Sequence, residues 1–194
     1  MPPLNRPDNA RPMNPIFLIH AGEYLFANQV EGKHRDLHCW VPSRDRGVDL
    51  LLTSSDNRKT VGVQVKSSRS YLRGAGPGDG SERLKIGGWC NFSRNRLENS
   101  PADIWSFVLI PPRRSEPPVF LNIPPADLLQ RLERIHGVRD KYSIYPWVTS
   151  DNKALDGRSL SQGEKLALEN YELDWGDRDF TDCLEAWDFL ENLR

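Results

Sequence analysis

The sequence predicts a single α/β domain, and three observations support this fold class. The chain has 194 residues, with 38% hydrophobic and 27% charged residues, which is typical of one folded domain rather than a disordered chain. Several segments alternate apolar and polar residues, as half-buried strands do. Others repeat apolar residues every three or four positions, as amphipathic helices do. The mixture of both periods along one chain favours a helix-covered sheet.

The first helix is expected to begin at Asn14-Pro15, with Asn as the N-cap and Pro at the first helical position. The run that follows, IFLIHAGEYLFANQVEG, is apolar on most of its circumference, so a buried helix ending near Gly32 is predicted. Before it, residues 1–13 hold four prolines and few apolar side chains. We expect a flexible N-terminal arm there.

Short strands follow this helix. Residues 48–66 read as a hairpin, because VDLLLT and VGVQVK flank the turn-rich link SSDNRK. The segment 142–148 is interpreted as an edge strand because it contains Pro146. A further amphipathic helix is expected at 125–137. The remaining strand predictions are 37–42, 103–110 and 119–123, with 85–92 either a strand or an irregular crossing.

The end of the chain is strongly acidic. Residues 164–194 contain 10 Asp and Glu against 3 Lys and Arg. Within this region FTDCLEAWDFLENL has helical spacing of its apolar residues, which predicts a helix with an apolar stripe. We therefore divide the chain into the arm, a core at 14–150 and an acidic helical extension at 151–194 packed on that core. Either the body of the domain, a second subunit in a homodimer or another protein partner would cover the stripe.

Charge is also polarised between the halves of the chain. Residues 1–100 hold 15 Lys and Arg against 10 Asp and Glu, whereas residues 101–194 hold 11 against 17. A basic surface in the first half would suit a polyanionic partner, although chance segregation of solvated charges gives the same counts. No apolar run approaches the roughly 18 to 20 residues that span a bilayer. Three widely separated cysteines and no secretory signal favour a cytoplasmic protein with no membrane partner.

The stretch TVGVQVKSS, residues 60–68, places unusual chemistry on a strand. Its valines share one face, so Gln64 and Lys66 share the other. Hairpin pairing would bring Asp49 to the same end, and Glu23 would reach it from the first helix. Two carboxylates and an amide oxygen are ligands that suit Mg²⁺ or Mn²⁺. Phosphodiester hydrolysis is the chemistry that such a site supports, with the lysine orienting the attacking water or stabilising charge.

Simpler interpretations exist for each residue. Gln64 and Lys66 are also typical of a solvated strand face, and Asp49 of a turn after Gly47. Glu23 could pair with a nearby arginine. The functional interpretation requires all four side chains to meet at one place.

The order of a helix glutamate, an aspartate at a strand start and Gln-x-Lys on the next strand resembles the PD-(D/E)xK nuclease superfamily. Here the residues are Glu23, Asp49, Gln64 and Lys66, and the likeness is to compact stand-alone bacterial members with the Gln-x-Lys variant. The resemblance implies a restriction-endonuclease-like core of helix, antiparallel meander, crossover helix and further strand, with added strands and C-terminal helices. It also implies a Mg²⁺-dependent or Mn²⁺-dependent endonuclease in which Asp49, Glu23 and Gln64 bind metal.

This resemblance implies DNA as the partner and defence, repair or mobile-element biology as the setting. Basic and small polar residues near the motif would contact backbone phosphates: Arg44, Arg46, Ser67, Ser68, Arg69 and Arg73. Two departures weaken the match. Val48 rather than Pro precedes Asp49, and Gln64 replaces an acidic residue. The alternative is a catalytically weakened module of the same fold that binds nucleic acid or a protein without cleavage.

Overall fold

The structure of the chain is a computed structural model. It describes residues 15–44, 46–71, 83–113, 115–161, 163, 164, 167 and 174–194, with side chains from residue 20 onward. The expected arm at 1–13 and Arg73 lie outside the described residues. Within the described ranges, no helix combines the length and the apolar character needed to cross a bilayer.

The protein is a mixed α/β structure built on a five-stranded mixed sheet with the order β1-β2-β3-β6-β7. Strands β1, β2 and β3 form an antiparallel meander, β6 runs parallel to β3, and β7 is antiparallel to β6. The helices and strands are α1 (Pro15–Lys33), β1 (Leu37–Trp40), β2 (Leu50–Ser54), β3 (Thr60–Arg69), β4 (Leu84–Gly87), β5 (Cys90–Ser93), α2 (Arg94–Glu98), β6 (Ile104–Ile110), β7 (Val119–Ile123), α3 (Pro125–His136), β8 (Lys141–Ile144), β9 (Pro146–Thr149) and β10 (Ala154–Asp156).

The two faces of this sheet pack against different elements. The valines of β3 join α1 in one apolar cluster that includes Phe26 and Val30. On the opposite face, Trp105 and Phe107 of β6 pack with Leu97 of α2 and with α3 in a second cluster. Because successive side chains of β3 alternate between faces, Gln64 and Lys66 belong to the second face.

Helix α1 is described from Pro15, and the predicted N-cap Asn14 lies outside the described residues; the helix is not buried on all sides. Phe26 and Val30 are buried against the sheet, whereas the Tyr24 side chain is 68% exposed. The prediction of a buried helix was wrong because, among the side chains described from residue 20 onward, only one stripe of α1 meets the valine face of β3. Apolar composition alone does not define how many partners a helix has.

The chain leaves β3 and returns to the parallel strand β6 through a crossover that contains β4, β5 and the short helix α2. The predicted segment 85–92 therefore forms two strands separated at Gly88. Gly88 packs so closely that an added Cβ would lie 2.5 Å from Leu109 and 3.0 Å from Ser68. The break in the strand brings this backbone down onto the central sheet.

The edge-strand prediction for 142–148 was wrong. Two strands, β8 and β9, occupy this region, and β9 lies in the middle of a three-stranded sheet between β10 and β4. Pro146 is tolerated because it is the first residue of β9, where a missing N–H removes little from the ladder.

The chain end also differs from the prediction of an α-helix over 180–193. Two 3₁₀ helices form instead, at Thr181–Cys183 and Asp188–Leu193. Between them, Glu185 takes a positive φ of 50° and donates its backbone N–H to the Phe120 carbonyl at 2.8 Å. Tertiary hydrogen bonds to the sheet have replaced helical ones. Phe180, Cys183 and Leu190 are nevertheless buried, so the body of the domain covers the predicted apolar stripe.

A buried carboxylate, that of Asp156, connects helix α3 to strand β10. Asp156 is fully buried and accepts hydrogen bonds from the backbone N–H groups of Tyr145 and Arg158 at 2.9 and 3.1 Å. Its other oxygen lies 2.8 Å from His136 Nε2 and 4.0 Å from Arg178. One side chain thus joins α3, β10 and the loops around them.

We expect Asp156→Ala to lower the free energy of unfolding by about 3–5 kcal/mol, because it leaves buried donors without an acceptor. Asp182→Ala is the matched control: that carboxylate is 63% exposed and pairs with Arg131, so its loss should cost no more than about 1 kcal/mol. Urea unfolding followed by circular dichroism measures both. Equal losses would show that Asp156 is not a structural centre.

Candidate functional site

Asp49 and Gln64 meet at the start of the β2–β3 hairpin. The register pairs Leu50 with Val63, so Asp49, one residue before β2, lies beside Gln64. Its backbone N–H donates to the Val63 carbonyl at 2.8 Å. Its carboxylate oxygen Oδ2 accepts hydrogen bonds from the Val65 backbone N–H at 2.7 Å and from the Gln64 side-chain amide. The juxtaposition predicted for Asp49 and Gln64 is present in the structure.

Gln64 is buried, with 6% of its surface exposed. Its amide turns the nitrogen Nε2 toward Asp49, so the carboxylate of Asp49 satisfies a donor that would otherwise lack water. In this orientation the nitrogen, not the oxygen, of the Gln64 amide contacts Asp49, so the amide oxygen and the Asp49 carboxylate are not placed to bind the same cation. Rotation of the amide by 180° would exchange the two ends, which are chemically distinct but similar in shape.

Lys66 lies two residues further along β3 on the same face. Its ammonium nitrogen is 5.5 Å from the centre of the Trp105 ring, a cation–π contact. Burial raises the pKa of the nearby Cys90 thiol to about 12, and the charge of Lys66 opposes that rise. Among the described residues Lys66 forms no ion pair. A cation held by an aromatic ring rather than a carboxylate remains able to pair with an incoming anion.

Glu23 lies on the helix that covers the opposite, valine face. An added Cβ at its neighbour Gly22 would be 2.5 Å from Ser67 and 3.2 Å from Val65, which places this turn of α1 directly over β3. The Glu23 carboxylate contacts His20 Nδ1 at 3.2 Å. The alternation of β3 puts Ser67 and Arg69 on this face as well.

The other predicted phosphate-binding residues are dispersed. Ser68 lies on the same face of β3 as Lys66. Its hydroxyl accepts a hydrogen bond from the Trp89 backbone N–H at 2.9 Å and so binds the crossover segment. Arg44 and Arg46 are exposed in the loop before Asp49.

The donors for a cation are few. Within the described ranges, no group of three or more His, Cys, Asp and Glu side chains is arranged to hold a metal ion. Asp49 offers one carboxylate and Gln64, after rotation, an amide oxygen. This set fits Mg²⁺, which keeps several waters and often binds through one or two carboxylates plus substrate phosphate.

A polar cleft of about 260 Å³ adjoins Gln64. Its lining residues come from the loop before Asp49, from β3, from α2 and from the connection to β6: Arg46, Gly47, Gln64, Asn95, Arg96, Asn99 and Pro101. The residues of α2 were not predicted to be functional. The signals available in the sequence were Ser93, which caps α2 by accepting the Arg96 backbone N–H at 3.2 Å, and the run RNRLE after it.

No protein-family model, curated protein or solved structure matches this chain in the comparisons made with each. Membership of the PD-(D/E)xK superfamily therefore stays a prediction that rests on the residues quoted from the sequence.

Removing the Asp49 carboxylate should leave the Gln64 amide and the Val65 N–H without their acceptor. We expect Asp49→Ala to cost about 1–3 kcal/mol of unfolding free energy. Asp36→Ala removes a 55% exposed carboxylate that lies 3.7 Å from Arg194 and should cost less than about 1 kcal/mol. Denaturant unfolding measures both variants, and a neutral Asp49→Ala would contradict the structural role of this carboxylate.

Proposed function

We propose that the protein is a metal-dependent nuclease that hydrolyses phosphodiester bonds of DNA. The observation that carries the proposal is the pairing of Asp49 with Gln64, with Lys66 on the same face two residues away. Asp49 contacts Gln64, and Gln64 lines a polar cleft, while Lys66 forms no ion pair within the described ranges. Each residue type suits one requirement of phosphodiester hydrolysis.

The order of elements supports the same proposal. A helix, a three-stranded antiparallel meander, a crossover containing a helix and a strand parallel to β3 follow one another along the chain. This is the order expected of a restriction-endonuclease-like core. In this chain the crossover also contains β4 and β5, and its helix α2 has only 5 residues.

A bound Mg²⁺ or Mn²⁺ would polarise the scissile phosphate and lower the pKa of a bound water. Asp49 would hold the cation by its carboxylate. Gln64 would turn its amide so that the oxygen, rather than the nitrogen, faces Asp49, because only the oxygen is a ligand for a hard cation. Lys66 would place its ammonium against the phosphate or the attacking water, a role that suits a compact point charge.

Glu23 stays a proposed metal ligand, but its carboxylate would have to move in order to reach the cation. Its carboxylate would have to leave His20 and reach past the edge of β3 toward Asp49, since α1 covers the valine face. A site with Asp49 and Gln64 alone has one carboxylate and binds Mg²⁺ more weakly than a site with two.

The second candidate function is a module of the same fold that binds nucleic acid or a protein without cleaving. The hydrogen bond from Gln64 to Asp49 favours it, because the carboxylate is already satisfied without a metal. A site that is stable in this form does not need a cation in order to fold.

Cleavage of plasmid and single-stranded DNA with Mg²⁺ or Mn²⁺ tests the nuclease proposal. We expect cutting by the wild type, and a loss of at least about 100-fold in Asp49→Asn and Lys66→Met, since each removes a charge from the reacting centre. Arg58→Gln is the matched control, because Arg58 is 86% exposed in the turn at the far end of the hairpin. DNA binding without cutting in either metal would favour the second candidate.

Gln64→Glu tests the metal ligands directly. Two carboxylates would then face each other, so we expect a lower melting temperature than the wild type in EDTA, because like charges repel. Mg²⁺ should restore stability, and about tenfold less Mg²⁺ should support half-maximal cleavage.

The control for this change is Gln130→Glu, which adds the same charge at an exposed position of α3. If Mg²⁺ raises the melting temperature of Gln64→Glu no more than that of Gln130→Glu, the cation does not bind beside Asp49.

A further inference from the structure

We propose that the cleft beside Gln64 binds a backbone phosphate of duplex DNA, held between Arg46 on one wall and Arg96 on the other. The inference rests on the proposed function for the identity of its ligand as DNA. It adds a substrate-positioning subsite, built from α2, to the residues that face Asp49.

The charge of the cleft selects an anion. Among the described residues that line it, two are arginines, Arg46 and Arg96, and none carries a carboxylate. Both arginines are exposed, and in the described part of the chain neither forms an ion pair. By contrast, Arg94 on the same short helix pairs with Glu133 at 2.9 Å and Glu98 at 2.5 Å. Arg46 and Arg96, the two arginines that line the cleft, thus have no ion pair among the described residues, in contrast to Arg94.

Helix α2 is held so that Arg96 points away from the protein core. Leu97 is buried in the core cluster, and Arg94 is fixed to α3 by its hydrogen bond to Glu133, which also raises the pKa of Arg94. Positions 94 and 96 lie about 200° apart around an α-helix. Anchoring Arg94 to α3 therefore leaves Arg96 on the opposite side, toward Gln64.

The other wall is placed by Gly47. This residue has a φ of +91°, and an added Cβ would lie 3.0 Å from the Pro101 ring. Only glycine combines this backbone conformation with so close an approach. The loop that carries Arg46 is in this way packed against the connection that follows α2, and the two arginines face one cleft.

Two asparagines line the cleft with neutral side chains. The Asn99 amide donates to the Asn95 side-chain oxygen at 3.0 Å and to the Asn95 carbonyl at 3.1 Å, which links the two residues. Guanidinium groups match phosphate oxygens with paired N–H donors. Because Gln64 forms part of the same cleft, a phosphate bound there adjoins the carboxylate at which hydrolysis is proposed.

The test is binding of a fluorescent duplex oligonucleotide in EDTA, measured by anisotropy at several salt concentrations. We expect Arg46→Gln and Arg96→Gln each to weaken binding about 5- to 20-fold and to reduce the slope of log K against log salt by about 0.9, the loss of one phosphate contact. Relative to the wild type, the double variant should bind more weakly by less than the product of the two single-variant factors, because the residues share one ligand.

Arg58→Gln is the control for general loss of charge and should change binding less than twofold. Unchanged melting temperatures are expected, since neither cleft arginine forms an ion pair with a described residue. Equal effects of Arg46→Gln, Arg96→Gln and Arg58→Gln would overturn the proposal, because the cleft would then act only as diffuse positive charge. Inorganic phosphate added as a competitor should weaken wild-type binding and have less effect on the double variant.

The two proposals fail in different ways. If the wild type cuts DNA with Mg²⁺ but both single variants bind and cut normally, the cleft assignment is wrong and the nuclease stands. If the wild type binds DNA through both arginines and cuts with neither metal, the cleft stands and the nuclease is wrong. If the wild type binds no duplex DNA, the cleft assignment is wrong, and if it also cuts neither plasmid nor single-stranded DNA, both are wrong.

Discussion

The parallel pairing of β3 with β6 is the constraint on which the rest of the structure depends. It runs for seven residue pairs, from Val63 with Ile104 to Arg69 with Ile110. Because β2 binds the other edge of β3, this strand is central and its early residues are buried on both faces. Parallel strands cannot be joined by a tight turn. The crossover that the pairing requires is also the segment that supplies α2 and, with it, Arg96.

A buried glutamine on such a strand needs a physical reason. An apolar side chain at position 64 would pack beside Trp105 of β6 without any polar group to satisfy, whereas Gln64 is stable only because Asp49 accepts its amide hydrogen bond. Asp49 in turn depends on the Val65 backbone N–H. The polar pair is therefore a local exception to the apolar pattern of the core. Such exceptions are concentrated at functional sites, where a residue is needed for its chemistry even though it fits the apolar core less well.

The elements that sequence predicted well are those whose pattern is decided by their own residues. Alternating valines and the turn-rich link between the strands determined the β2–β3 hairpin, and the position of Asp49 beside Gln64 followed from it. The failures came from long-range contacts. The apolar residues of the chain end have helical spacing, yet the Glu185 backbone N–H donates a hydrogen bond to the Phe120 carbonyl of the sheet instead of to a helical acceptor. Nothing near Pro146 indicates that β4 would pair with β9.

The site could be predicted only where it lies on one hairpin. Asp49 and Gln64 are 15 residues apart and share a register, so their meeting is a local consequence of strand pairing. Arg96 reaches the same place through the crossover, and its position depends on Leu97 being buried and on Arg94 bonding to α3. The position of Glu23 could not be predicted from the sequence, because α1 could have packed on either face of the sheet. The period of a helix does not determine which face it covers.

The fold brings acidic residues from the end of the chain next to arginines of helix α3. Acidic residues near the chain end pair with the arginines of α3: Asp182 with Arg131, and Asp177 with Arg134 at 2.8 Å. The hydrogen bond from Arg131 lowers the pKa of Asp182. The acidic end thus neutralises guanidinium groups on α3, whereas those of the cleft form no ion pair in the part of the chain that the structure describes. Because the electrostatic attraction of a polyanion depends on uncompensated charge rather than on the number of arginines, a chain with a net charge of −1 can still present a local site for phosphate.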